Sequence, residues 1–140
     1  MAPVYQYQLE VPEAAIDGNG HVNNIEYLRW MQTAATRHAD ASGCTLATTQ
    51  AGATWVVRSH RIDYLRPALR GDRLEVRTWV ANLRKASSLR KYKVVRMQDQ
   101  AVLAQAETDW VFVDAATGRP RSIPEAIKGL FVQVPPEQEP

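Results

Sequence analysis

The chain has 140 residues, 45% of them hydrophobic and 23% charged, with a net charge of +2. That length suits one domain with a real core, and the near-neutral charge argues against a general nucleic-acid binder. No apolar run approaches the roughly 20 residues that cross a bilayer, and Cys44, the only cysteine, leaves no intramolecular disulfide and no cysteine metal cluster. The opening "MAPVYQYQLE" has neither a positive n-region nor an apolar h-region, so a cytoplasmic protein is expected. From Val4 to Val11, Tyr5, Tyr7, Leu9 and Val11 alternate with Val4, Gln6, Gln8 and Glu10, the period of a half-buried strand. A polar loop follows. Asn23 to Ser42 reads as a helix of about 20 residues, closed by Gly43. Asn23 can cap its start, with Glu26 placed for a capping box.

Four strand-like runs come next: Ala53 to Leu65, Arg73 to Leu83, Ser88 to Met97 and Ala101 to Asp114. In the second, Leu74, Val76, Thr78 and Val80 face one way and Arg73, Glu75 and Arg77 the other. The turns "RPALRGD", "NLRKAS", "MQDQ" and "DAATGRP" are short, so the strands are expected to run antiparallel. The helix carries Ala34, Ala35, Ala39 and Ala41 beside Tyr27, Trp30 and Met31, a composition that suits a helix wrapped by the sheet. The layout is α+β: one strand, one long central helix, then an antiparallel meander. Residues 1–133 are assigned to one domain, and 134–140, "VPPEQEP", to a frayed tail.

The stretch "DGNGHVNNIEYLRW", Asp17 to Trp30, sets the densest polar cluster directly before the helix. A helix N-terminus offers unsatisfied N–H groups and a partial positive charge, which stabilise a developing oxyanion. Gly18 and Gly20 permit a sharp turn and close approach to a ligand. Asp17 beside such a helix end can act as a nucleophile or activate water. Asn19 and His21 add polar groups at alternate positions. The cluster thus has the parts for acyl transfer. Each residue also has a structural reading: Asp17 can end the strand in an Asx-turn, and His21 can satisfy loop backbone. His38 and His60 read as structural histidines, Cys44 as a small packing residue, and Trp30, Trp55, Trp79 and Trp110 as core or interface. Three scattered histidines match no metal-ligand spacing, so neither metal nor cofactor is expected.

"DGNGHVNNIEYLRW" resembles the active-site segment of the hotdog-fold thioesterases, a family that includes 4-hydroxybenzoyl-CoA thioesterases, bacterial long-chain acyl-CoA thioesterases and plant acyl-ACP thioesterases. "HVNN" followed by an aromatic is closest to the latter two groups. "RIDYLRPALRGDRLEV" and "SIPEAIKGLF" resemble later segments of the family, so the likeness covers most of the chain. It implies an antiparallel sheet wrapped around one long helix. It implies hydrolysis of an acyl thioester, acyl-CoA first and acyl-ACP as the alternative carrier. The catalytic carboxylate falls on Asp17, the plant-type Asp-x-Asn-x-His pattern on Asp17, Asn19 and His21, and the carbonyl-polarising N–H on Asn24. Some plant-type members carry a further carboxylate where this chain has Pro67, which favours a mechanism centred on Asp17. The resemblance also implies a homodimer or homotetramer with the site built between protomers. Two rivals remain: a hotdog enoyl-CoA hydratase, whose Asp–His spacing is one residue longer, and a module that binds acyl thioesters without catalysis.

From Arg77 to Arg96 the chain carries seven Lys or Arg and no Asp or Glu. This is either a solvated strand face or a site for the polyphosphate end of CoA. On the second reading Arg84, Lys85 and Arg90 bind phosphate, with Ser87 and Ser88 adding hydroxyl contacts.

Overall fold

The computed structural model describes residues 3–140. Strand β1 (Val4–Glu10) leads through a loop into helix α1 (Asn24–Ser42), then a short helix α2 (Cys44–Gln50). Four strands follow: β2 (Ala53–Tyr64), β3 (Arg73–Leu83), β4 (Ser87–Arg96) and β5 (Ala101–Asp114). A last turn of helix, α3, spans Glu125–Lys128. The five strands form one sheet in the order β1-β3-β4-β5-β2, with every neighbouring pair antiparallel. Among the described residues no helix is long and apolar enough to cross a membrane.

Tyr27, Trp30, Met31, Ala34, Ala35 and His38 fall three and four residues apart and are the buried stripe of α1. That stripe packs with Leu74, Val76, Tyr92, Val94 and Ala104 of the sheet. The small side chains matter here: Ala34 is fully buried, and its lack of bulk lets the helix lie close to the strands. The Asn23 carboxamide accepts from the Ile25 N–H at 3.0 Å. The capping box does not close, because Glu26 turns to Arg29 at 3.6 Å and the Asn23 N–H is already held by the Ala15 carbonyl at 2.9 Å. Gly43 ends the helix at φ 84°, a left-handed conformation that strains any residue with a Cβ.

Residues 44–50, to which the sequence reading assigns no element, are helical, although three threonines in "CTLATTQ" disfavour it. Burial of Cys44 and Thr48, one turn apart, outweighs propensity. Residues 134–140 are not frayed. Val134 is buried and its N–H donates to the Val80 carbonyl at 2.9 Å. Beyond it, Lys91 Nζ meets the Glu139 carboxylate at 2.7 Å and Lys93 Nζ donates to the Pro140 carbonyl.

The pairing fixes which loops share an end of the sheet. Glu10 pairs with Arg73, so the loop carrying Asp17 leaves at the Arg73 end of β3. The β3–β4 turn with Arg84 and Lys85 lies at the other end, where Leu83 pairs with Ser88. Strand β3 has 11 residues, a length of roughly 33 Å at strand rise.

Candidate active site

The loop from Asp17 to His21 is a tight hairpin closed by an antiparallel bridge between Ile16 and Val22. The Asp17 N–H donates to the His21 carbonyl at 2.8 Å, and the Gly20 N–H to the Asp17 carbonyl at 3.1 Å. Gly20 takes φ 77°, which the turn demands. Asp17 Oδ1 accepts from the Asn19 N–H at 2.9 Å and the His21 N–H at 3.4 Å. The Asx-turn foreseen as a structural alternative is therefore present. It orients one carboxylate oxygen and leaves Oδ2 with no hydrogen bond among the described residues. Asn19 and His21 contribute their amides to this turn, and both residues are exposed.

The start of α1 is braced from the segment that follows β2. The Val22 N–H donates to the Ala68 carbonyl at 3.0 Å. The Ala68 N–H donates to the Tyr27 hydroxyl at 2.9 Å, and the Tyr64 hydroxyl to the Asn24 carbonyl at 3.2 Å. Tyr27 and Tyr64 meet edge to face, with ring centroids 5.3 Å apart. Sequence reasoning left these two tyrosines out of the site; the only signal for Tyr27 is the aromatic that follows "HVNN". The first helical amide, the Asn24 N–H, has no acceptor among the described residues.

The basic residues separate into two groups. Arg84 and Lys85 are exposed, and the Arg84 N–H donates to the Ser87 carbonyl at 2.8 Å in the tight β3–β4 turn. Ser87 is half-buried. Arg90 and Ser88 do not join them. Arg90 is 5% exposed, and its Nη1 donates to Thr78 Oγ1 at 3.1 Å and His38 Nδ1 at 2.9 Å. Ser88 is buried and its hydroxyl donates to the Asn82 carbonyl at 3.1 Å. The reason is strand alternation. Ser88, Arg90, Tyr92 and Val94 share the helix-facing side of β4, whereas Lys91 and Lys93 face the other way.

His38 is buried between the Tyr5 ring, stacked at 5.4 Å, and the edge of Phe131 at 5.0 Å. Burial, with the Arg90 charge beside it, lowers its pKa from the ordinary 6.5 to about 4. Below about pH 6.5 the unfolded chain takes up this proton while the folded chain refuses it. Folded stability therefore falls as pH drops from about 6.5 to about 4, by roughly 3 kcal/mol from this group. His38→Gln keeps an acceptor for Arg90 and cannot titrate. Urea unfolding across that window is expected to show a flatter pH dependence for the variant, and equal slopes would refute the assignment.

His60 Nδ1 lies 2.7 Å from Thr108 Oγ1 on the helix-facing side of β2 and β5 and makes no hydrogen bond to Asp17. Cys44 is buried, and burial pushes its thiol up. Among the described residues no three His, Cys, Asp or Glu side chains converge as a metal ion would require.

Residues 11–131 match the family described as the thioesterase-like superfamily. The acyl-CoA thioester hydrolase YbgC of Escherichia coli O157:H7 is 27% identical over 133 residues, which cover 93% of this chain and 97% of that protein. Among solved structures, the probable thioesterase YbaW from Escherichia coli superposes with a TM-score of 0.84 at 24% identity, covering 90% of this chain and 95% of that one. Slr0204, a 1,4-dihydroxy-2-naphthoyl-CoA thioesterase from Synechocystis, gives 0.81 at 20% identity over 91% of this chain and 94% of that one. SAV2348 from Staphylococcus aureus, solved in complex with CoA, gives 0.82 at 15% identity over 91% and 80%. At these identities the structural likeness is one of fold, and the fold is the hotdog.

Proposed function

The chain belongs to the thioesterase-like superfamily, and from that premise we propose that it hydrolyses an acyl-CoA thioester with Asp17 as the reacting carboxylate. The observation that carries this reading is the pairing of two features in one loop–helix unit. The Asp17 carboxylate is oriented by two amides, and the Asn24 N–H at the helix start has no acceptor among the described residues. The thioester carbonyl oxygen accepts from the Asn24 N–H, and the positive end of α1 stabilises the charge that develops there. Asp17 either takes a proton from the water that attacks the carbonyl carbon, or attacks that carbon itself to form a mixed anhydride that water then cleaves, which frees the Asp17 carboxylate again. The C–S bond breaks, the CoA sulfur leaves as thiolate and takes up a proton, and the acyl group departs as a carboxylate. Free-thiol release from short, long and aromatic acyl-CoAs tests the reaction. Addition of water to an enoyl-CoA with no thiol released would sink it.

The site is assembled from two protomers. Strand β2 is an edge of the sheet, and Val56, Val57, Tyr64 and Leu65 are 36–53% exposed on it and just past it. A 12-residue edge strand with unpaired backbone groups and exposed apolar residues at both ends invites a second strand. Two copies joined antiparallel along β2 about a two-fold axis set the Asp17 end of one sheet beside the Arg84–Lys85 end of the other. Within one protomer those ends stand roughly 33 Å apart. The exposed guanidinium and ammonium of that turn then suit the CoA phosphates.

Light scattering at micromolar concentration is expected to give at least a dimer. Arg84→Ala with Lys85→Ala raises KM for acyl-CoA about tenfold, the loss of roughly 1.4 kcal/mol of phosphate contacts, and leaves kcat nearly unchanged. When this double variant is unfolded, mixed with equal Asp17→Asn and refolded, the mixed dimers hold one intact site. Low-substrate activity returns to about a quarter of wild type. A monomer with full activity, or no recovery on mixing, refutes the shared site.

A further inference from the structure

A cavity of about 360 Å³ lies between the C-terminal half of α1, α2, α3 and the helix-facing side of the sheet, a size within the range of small-molecule sites. Ala35 and Ala39, which line it, sit roughly 17–22 Å along α1 from Asn24. Within one protomer the cavity is therefore separate from the place where the thioester carbonyl is held. Its wall is largely apolar, with Trp55, Trp110, Ile127 and Phe131 as the large side chains.

Arg90 is the one charged residue in that wall. Its Nη1 is engaged by two neutral groups, Thr78 Oγ1 and His38 Nδ1. Nε and Nη2 have no hydrogen-bond acceptor among the described residues, and no carboxylate there pairs with the guanidinium. The Phe131 ring lies 5.6 Å from the guanidinium carbon, a weak substitute for an anion. Of the other polar groups of the wall, Thr48 Oγ1 accepts from Trp55 Nε1 at 3.1 Å and the Ser88 hydroxyl donates to the Asn82 carbonyl, whereas the buried Trp110 Nε1 is a second donor with no partner among the described residues. A buried guanidinium with no counter-ion and spare donors is costly, and an anion bound beside it offsets that cost. A cavity that combines this cation with aromatic and aliphatic walls fits a ligand with one negative end and an apolar body.

We propose that this cavity is a binding site for a small monocarboxylate, its carboxylate paired with Arg90 and its hydrocarbon body against Trp55, Trp110 and Phe131. The thioester site neither assigns nor requires it.

Trp55 and Trp110 line the cavity, so intrinsic fluorescence reports occupancy of the intact protein, with calorimetry as the second readout. The probes are octanoate, 1-octanol and octylammonium, which share a chain and differ in charge. Octanoate is expected to bind at least tenfold more tightly than either of the others, a gap of about 1.4 kcal/mol. Arg90→Gln removes the charge but keeps a donor, and is expected to abolish octanoate's advantage over 1-octanol. Ala39→Leu fills the cavity from α1 and is expected to weaken octanoate at least tenfold with Arg90 intact. Should Arg90→Gln fail to fold, the three probes on the wild type and the Ala39→Leu variant decide the matter. Equal affinity for octanoate and 1-octanol on the wild type, octanoate affinity unchanged by Ala39→Leu, or no octanoate binding at millimolar concentration overturns the proposal. None of these measurements needs thioester turnover, so a failure here is distinct from a failure of the proposed hydrolase.

Discussion

Asp17→Asn is expected to lower kcat for acyl-CoA hydrolysis by about 10²–10⁴-fold or more, because it removes the carboxylate proposed to attack the carbonyl or activate water. Asparagine keeps the shape of the side chain, and its Oδ1 can still accept from the Asn19 and His21 amides at 2.9 and 3.4 Å. The hairpin therefore survives, and KM changes little, since the rest of the thioester is held by other groups. Steady-state thiol release with circular dichroism on the same samples checks both halves of the claim. His21→Ala separates the roles within the cluster: its loss is much smaller if His21 only shapes the loop, and comparable if the imidazole itself moves the proton. Near-wild-type hydrolysis by a folded Asp17→Asn protein would remove the carboxylate from the mechanism.

Asn24→Pro deletes the proposed oxyanion donor and little else. Asn24 is the first helical residue, the position where proline is best tolerated because its missing N–H has no helical partner. Asn23 stands at φ −60°, ψ 133°, the extended conformation a residue before proline adopts. The Asn24 carbonyl, which accepts from the Tyr64 hydroxyl, is retained. Removal of one oxyanion donor is worth about 10²–10³-fold in kcat. The melting temperature is expected to stay close to wild type while kcat falls by that factor. Asn24→Ala, which keeps the N–H, is the control and should retain most of the activity. Equal kcat for the proline and alanine variants would show that the carbonyl is polarised elsewhere.

The two variants probe features of different origin. That a capped helix follows a polar hairpin could be read from "DGNGHVNNIEYLRW", because capping and turn chemistry are local. Asn23 caps wherever an apolar run of helical period follows it, and Gly43 stops the helix through its own backbone freedom. The alternation in β1 and β3, and hence the α+β layout, was legible for the same reason: side-chain direction in a strand has a period of two whatever lies around it.

Period two divides a strand into faces without saying which face receives a charge. In "SSLRKYKV" the residues Arg90 and Lys91 have similar polarity, so hydropathy cannot tell the one that is buried beside His38 from the one that meets Glu139. Only the register of β4 against β3 and β5 decides it. The short helix α2 and the docked tail depend likewise on distant partners, Trp55 for Thr48 and Val80 for Val134. The sequence by itself determined β1, α1 and the four later strands, the capped helix start and the polar cluster before it, since these follow from interactions within a few residues. Tertiary structure alone decided that Arg90 turns inward, and that the basic turn and the Asp17 loop lie at opposite ends of the sheet. Those facts follow from strand order and pairing between residues far apart in the chain, which no local pattern encodes.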